Sequence, residues 1–299
     1  MNVQFFIEVL VGGLLSGVMY ALVALGFVLI YKASGVFNFA QGAMVFFAVL
    51  SFVGFMELGL PFWAALPVTV VLMVATGMLT ERFVLRPLVS QSEDTLLMAT
   101  IGLAFVIEGM AQLVWGVDVR RLDLGIRDEP IGWFMDSTGI LVSQLDITAG
   151  VVAGLMVAIL ALIFSRTKVG RGLRAVADDH AAALSVGIPL KHIWGLVWAT
   201  AGIVALVAGM LWGARSGVQF ALIGIALKAL PVLIIGGFTS VPGVIVAGLI
   251  VGAAEKLTEV YFGPMVGGGI EGWLPYVLAV FFLLIRPEGL FGEKIIRRV

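Results

Sequence analysis

The chain has 299 residues, 61% of them apolar and only 12% charged, with a mean hydropathy of +1.12. A soluble domain carries about a quarter charged residues, so a chain this poor in charge has lipid as its solvent. The net charge of −1, with no basic patch interleaved with aromatics, leaves no footprint for nucleic acid, and the lack of cysteine excludes disulfides, thiolate catalysis and Cys-based metal sites.

Nine apolar segments follow one another at 5–30, 37–56, 61–80, 95–116, 147–164, 193–213, 219–236, 243–258 and 273–286. The expectation is an all-α, polytopic inner-membrane helical bundle of about 8–10 transmembrane segments, nine by count. Some of the shorter segments can be half-helices. The first segment has no basic n-region and no small-residue cleavage site, so it is expected to be a retained span rather than a signal peptide.

The second segment opens with Asn38 and Gln41 in the run Asn-Phe-Ala-Gln-Gly. Three residues apart, they share a face if that stretch is helical. Two amides at membrane depth need partners, so they are either a pair lining a pathway or an interhelical clamp. Further on, Glu108 and Lys228 interrupt apolar runs at 101–115 and 222–235. Charges there must pair or face water, and these two are expected to pair with each other. Between the fourth and fifth segments, residues 117–146 form the one long loop expected outside, with Trp133 and Phe134 as interfacial anchors or as parts of a plain surface lid.

Residues 165–192 are a polar, basic island carrying Arg166, Lys168, Arg171, Arg174 and Lys191. Such a loop stays on the cytoplasmic side. Its middle, 175–186, is rich in Ala and Leu with Asp178 and Asp179 on one side, which predicts a short helix stopped by Gly187 and Pro189. Ala175, Ala182 and Val186 recur at positions that give this helix one small apolar face. The alternative is that Arg171 and Arg174 hold phospholipid head groups. A second Gly-rich interruption, 236–243, separates the seventh and eighth segments and adds Thr239 and Ser240 to Asn38 and Gln41 as candidate pathway residues. Paired breaks in two halves of a chain point to a pathway built from broken helices.

Twelve basic residues (Lys32, Arg82, Arg86, the five of the island, Arg286, Lys294, Arg297 and Arg298) fall on one side if nine spans start outside, against Arg120, Arg121, Arg127, Arg215 and Lys256 on the other. The bias predicts an N-terminus outside and a C-terminus in the cytoplasm. Small-xxx-small spacings, such as Gly13 to Gly17 and Gly248 to Gly252, predict close helix packing in lipid. No HExxH, GxxxxGK[ST] or DDxxD pattern occurs, so no nucleotide motor, catalytic centre or metal site is expected on this chain.

Gly13, Gly17, Tyr20, Ala21 and Leu22, followed by the run from Asn38 to Gly42, resemble the permease subunits of bacterial branched-chain amino acid ABC transporters. The stretches from Gly170 to Ile188 and from Leu227 to Gly243 resemble them too, so that the likeness covers nearly the whole chain. The resemblance implies one permease domain over 1–299, with 165–192 as a coupling loop in which Arg171, Arg174, Ala175, Asp178, Asp179, Ala182, Val186 and Gly187 meet an ATPase. It also implies import of hydrophobic amino acids, or of urea or short amides as in close relatives. The partners it implies are a second permease subunit, identical or homologous, two cytoplasmic ATP-binding subunits that hydrolyse ATP, and a periplasmic substrate-binding protein. No cofactor is expected on this chain. Two departures stand out: where ABC permeases often carry Glu-Ala-Ala-x-x-x-Gly, residues 181–187 begin with Ala181, and Gln41 occupies a position that is His in many relatives. An ion-coupled secondary transporter is the rival reading, but it usually needs an intramembrane ion site for which only Glu108 and Lys228 are candidates. A membrane enzyme would need clustered catalytic groups, and Asp178-Asp179 are adjacent rather than spaced for a metal.

Overall fold

In the computed structural model every one of the nine apolar segments forms a helix over most of its length, the conformation in which a single segment satisfies its own backbone N–H and C=O groups in lipid. The structure describes residues 3–88, 91–178 and 180–292, without the side chains of residues 93, 133, 134, 137, 178 and 180–182. The anchors expected at Trp133 and Phe134 therefore lie outside the described side chains, and Lys294, Arg297 and Arg298 lie outside the described residues.

The helices are α1 (Val3–Ser34), α2 (Gln41–Glu57), α3 (Phe62–Thr80), α4 (Glu93–Trp115), α5 (Gly132–Thr138), α6 (Gln144–Arg166), α7 (Lys168–Asp178), α8 (His180–Ser185), α9 (Leu190–Ser216), α10 (Ile223–Gly236), α11 (Val241–Val266) and α12 (Leu274–Ile285). Six are long and apolar enough to cross a membrane, α3 counting with the turns that carry it to Leu88; α2, α10 with its leading turn, and α12 are shorter apolar helices. The protein is thus a multi-pass, all-α membrane protein. One boundary differs from expectation: α11 continues to Val266 rather than ending near 258. Glu255 and Lys256 are therefore helix-interior charges, and each has an ion partner, Lys228 and Glu271 respectively.

The chain divides into two compact units. The first comprises 1–24, 123–157 and 227–299. In it α1 and α11 run antiparallel with their backbones in contact. A β-carbon on Gly13 would stand 2.7 Å from the Gly252 carbonyl oxygen, and one on Gly248 would stand 2.6 Å from the Gly17 carbonyl oxygen. Gly150 and Gly154 of α6 lie against Leu15 and Val18, so α6 runs parallel to α1. The loop before α6 is tied down by Glu8, which accepts from the Leu141 amide at 3.1 Å.

The second unit comprises 25–122 and 158–226. Its centre is α2, buried continuously over 41–54, as expected of a helix that is apolar all round. Gly209 and Gly213 of α9 pack on Val45 and Val49, making α9 parallel to α2; Gly202 on Met73 and Gly77 on Trp198 make α9 antiparallel to α3. At the far end of α2, Arg120 bonds both Glu57 and the Trp115 carbonyl oxygen, while its backbone exchanges hydrogen bonds with Val218 at 2.9 and 2.8 Å.

Candidate functional site

Three places hold polar side chains in apolar surroundings, the first and the third at breaks between helices. The first is the break between α1 and α2. Gly35, with φ +68°, reverses the chain after Ser34. Asn38 is not on a helix, contrary to the shared-face expectation; α2 starts only at Gln41. The two amides still meet, because Asn38 folds a turn around itself. Its Oδ1 accepts from the Ala40 amide at 3.0 Å and its carbonyl oxygen from the Gln41 amide at 3.3 Å, which leaves its Nδ2 to donate to Gln41 Oε1 at 3.3 Å. That side-chain turn competes with helix and delays its start.

The depth of this break follows from α1. The Gln41 amide fills the space where a Gly26 β-carbon would be. Gly26 lies eight residues before Ser34, about 12 Å along a helix, so the start of α2 packs on α1 about two turns before α1 ends. Both Asn38 and Gln41 are fully buried, and Gln41 Nε2 has no hydrogen-bond partner. Thr100 of α4, also fully buried, completes the break by donating to the Phe37 carbonyl oxygen at 3.0 Å and accepting from the Phe39 amide at 3.3 Å. A lone threonine in an apolar run carries no signal of such a task.

The second place lies in the other unit. Glu255 is 3% exposed, and its Oε1 accepts from Tyr20 at 3.1 Å and from Lys228 at 3.2 Å, while Oε2 is buried with no partner. The ion partner of Lys228 is thus Glu255, which corrects the pairing with Glu108 expected from sequence. Glu108 instead stands within 3.5 Å of the Gln112 side-chain nitrogen on its own helix. Glu255 was legible as an acid near a helix end, and its distance of 27 residues from Lys228 hid the contact.

The third place is the α10–α11 junction, in the same unit. Ser240 caps α11, accepting from the Gly243 amide at 3.0 Å, and Thr239 and Ser240 are half-buried. Gly236 and Gly243 touch through their backbones. The segment after α12 closes over them, with the Leu290 amide donating to the Ile235 carbonyl oxygen at 2.7 Å. Gly237, with φ +99°, lies so close to Gly292 that a β-carbon would stand 2.9 Å from its amide nitrogen.

The basic island holds two helices, α7 and α8, in place of the single helix expected over 175–186. Thr167 accepts from the Gly170 amide at 3.3 Å and starts α7 early, and Arg174 donates to the carbonyl oxygen of Phe164, at the end of α6, at 2.7 Å. Leu173 and Val176 are buried, Ala175 is half-buried, and Arg171 is exposed. α8 ends at Ser185, so Val186 lies past the helix, 74% exposed, and Gly187 turns the chain with φ +82°. Asp179 lies outside the described residues, as do the side chains of Asp178 and Ala182. The tip of the island therefore presents Leu184 and Val186 as exposed apolar side chains beside exposed Lys191.

Among the described residues, no group of three or more His, Cys, Asp or Glu could hold a metal ion. The polar features are buried amides in one unit, a half-satisfied ion pair and a Gly-lined break in the other, and an exposed apolar stretch at 184–186.

The family model described as branched-chain amino acid transport system, permease component, matches residues 9–285. The chain is 27% identical to the high-affinity branched-chain amino acid transport system permease protein BraD of Pseudomonas aeruginosa, over 100% of this chain and 99% of that one. It is 25% identical to the corresponding permease protein LivH of Escherichia coli, over 99% and 98% of the two chains. Among solved structures, PsaBC from Streptococcus pneumoniae in complex with Fab is similar with a TM-score of 0.48 and 16% identity, over 93% of this chain and 89% of that one.

Proposed function

This chain belongs to the permease-component family of branched-chain amino acid transport systems, and from that premise we propose that it is the membrane subunit of an ATP-driven importer of branched-chain or related hydrophobic amino acids in a bacterial inner membrane. The observation that carries the reading is the extent of the match, residues 9–285, rather than any one motif. In this reading the chain acts as one permease domain that hydrolyses nothing itself. It works with a second permease subunit, two cytoplasmic ATPases and a periplasmic binding protein. Its N-terminus is outside and its C-terminus in the cytoplasm, as the basic residues direct.

Asn38, Gln41, Thr239 and Ser240 belong in this proposal to the pathway; in support, the amide pair is buried and bonded to itself, and Thr239 and Ser240 are half-buried at a break. The island couples to the ATPase: an exposed apolar tip around Leu184 and Val186 suits a groove on a partner, and Arg174 ties α7 to the end of α6 so that force on the island reaches a span. Arg171, Ala175 and Gly187 share this assignment, as do Asp178, Asp179 and Ala182 on the ground of the family resemblance alone.

The test is uptake of a panel of radiolabelled solutes (leucine, isoleucine, valine, urea and a short amide) in cells with and without the gene. Loss of leucine, isoleucine and valine uptake alone supports the reading. Loss of urea or amide uptake alone overturns its substrate, and ATP hydrolysis by the purified chain on its own overturns its place as a motor-less subunit.

A further inference from the structure

The Tyr20–Glu255–Lys228 cluster is built in a way that a purely structural ion pair does not need. Both donors converge on one carboxylate oxygen, at 3.1 and 3.2 Å, and the other oxygen is buried with nothing to accept from. A half-satisfied network in low dielectric is costly, and a buried orphan acceptor calls for a missing donor. On the other side of the pair, the Lys228 side chain is 29% exposed. An ammonium has three N–H donors, and one is spent on Glu255. A partly exposed charge within a span does not face lipid; it faces water or another protein chain.

We propose that Lys228 and Glu255 form a binding site for the charged end of a zwitterionic α-amino acid on its way through the membrane. This rests on the amino-acid reading of the chain and assigns the site within it. The free oxygen of Glu255 accepts from the α-ammonium, and the free N–H groups of Lys228 donate to the α-carboxylate. The substrate thereby enters as a dipole matched to the pair and leaves no net charge behind. Tyr20 stays on Oε1 and holds the carboxylate in place while Lys228 turns to the ligand. One site of this kind accepts several hydrophobic amino acids equally, because it reads only the groups they share, and it rejects analogues lacking either charge.

This chain has no cysteine of its own, so an introduced one can be followed on it by separating the subunits after labelling. Thr258, half-buried and one turn beyond Glu255 on α11, is replaced by cysteine in the full transporter complex reconstituted in liposomes. Reaction with a water-soluble methanethiosulfonate is then followed with and without L-leucine. The site requires that Thr258→Cys reacts, that millimolar L-leucine slows the reaction, and that leucine amide and 2-hydroxy-4-methylpentanoate, each lacking one charge, do not. Lys228→Met and Glu255→Gln should each lower L-leucine uptake at least about tenfold, the loss of one charge-assisted bond, and abolish the protection. Glu255→Asp, which keeps the charge, should restore part of both if the complex assembles. An unreactive cysteine, or protection that is absent or equal with the two analogues, overturns the site, and neither readout depends on the charge variants folding. If the unaltered complex fails to transport L-leucine at all, the amino-acid reading fails first. If it transports L-leucine without protecting Thr258→Cys, only the site fails.

Discussion

Gly17 and Gly248 face each other across α1 and α11 with their backbones touching, so that neither position has room for a β-carbon. In lipid no hydrophobic force drives helices together, and close backbone approach supplies the dispersion contacts that hold them.

The first prediction follows from that contact. Gly17→Ala and Gly248→Ala should each destabilise the protein by about 1–3 kcal/mol, the usual cost of overpacking. Gly12→Ala, one turn away in open space, should be neutral or slightly favourable. Melting of the purified chain in detergent, followed by the fluorescence of its tryptophans, separates the three. Equal melting temperatures would mean that this interface can shift without loss.

The Asn38–Gln41 pair yields a second. Asn38→Ala strands the Gln41 carbonyl oxygen in a fully buried site, at a cost of about 1–3 kcal/mol. Gly26→Ala pushes a methyl group into the Gln41 amide and should also damage the break. The pathway reading expects Asn38→Ala to cut uptake while the complex still assembles. Normal transport with a lowered melting temperature would assign the pair to clamping instead.

For orientation, a cysteine at Asp123 should react with a membrane-impermeant maleimide applied to the periplasmic side. One at exposed Lys191, at the start of α9, should react only after the membrane is opened. The opposite pattern would invert the topology.

The island gives a fourth prediction. Val186→Glu places a charge on its exposed apolar tip without touching the core, and it should weaken co-purification of the ATPase while leaving the melting temperature unchanged. Arg174→Ala removes a charged donor from the end of α6 and should cost about 1.5–3 kcal/mol. A Val186→Glu complex with normal ATPase content and normal uptake would leave the island as an ordinary loop.

Each of these effects is read from a contact that hydropathy alone does not reveal. Hydropathy is a local sum, and the alternatives available to the chain in lipid are few. The nine apolar segments, the all-α class and the Gly-rich interruptions at 35–42 and 236–243 were therefore legible in the sequence. So was Gly187 as the place where the island turns back. Pairing is not local. Glu255 meets Tyr20 from 235 residues away and Lys228 from 27, and which of several acids takes a lysine depends on helix direction and rotation, so the expected Glu108–Lys228 pair gave way to Lys228–Glu255. The same holds at Asn38, where a side-chain turn wins over the helix that spacing suggested and puts the two amides together by another route. Composition and periodicity determined that this chain lives in the membrane and where its helices run; only the tertiary structure decided which backbones touch, which charges pair and which polar atoms are left unpaired, because those depend on distances between residues far apart in the chain.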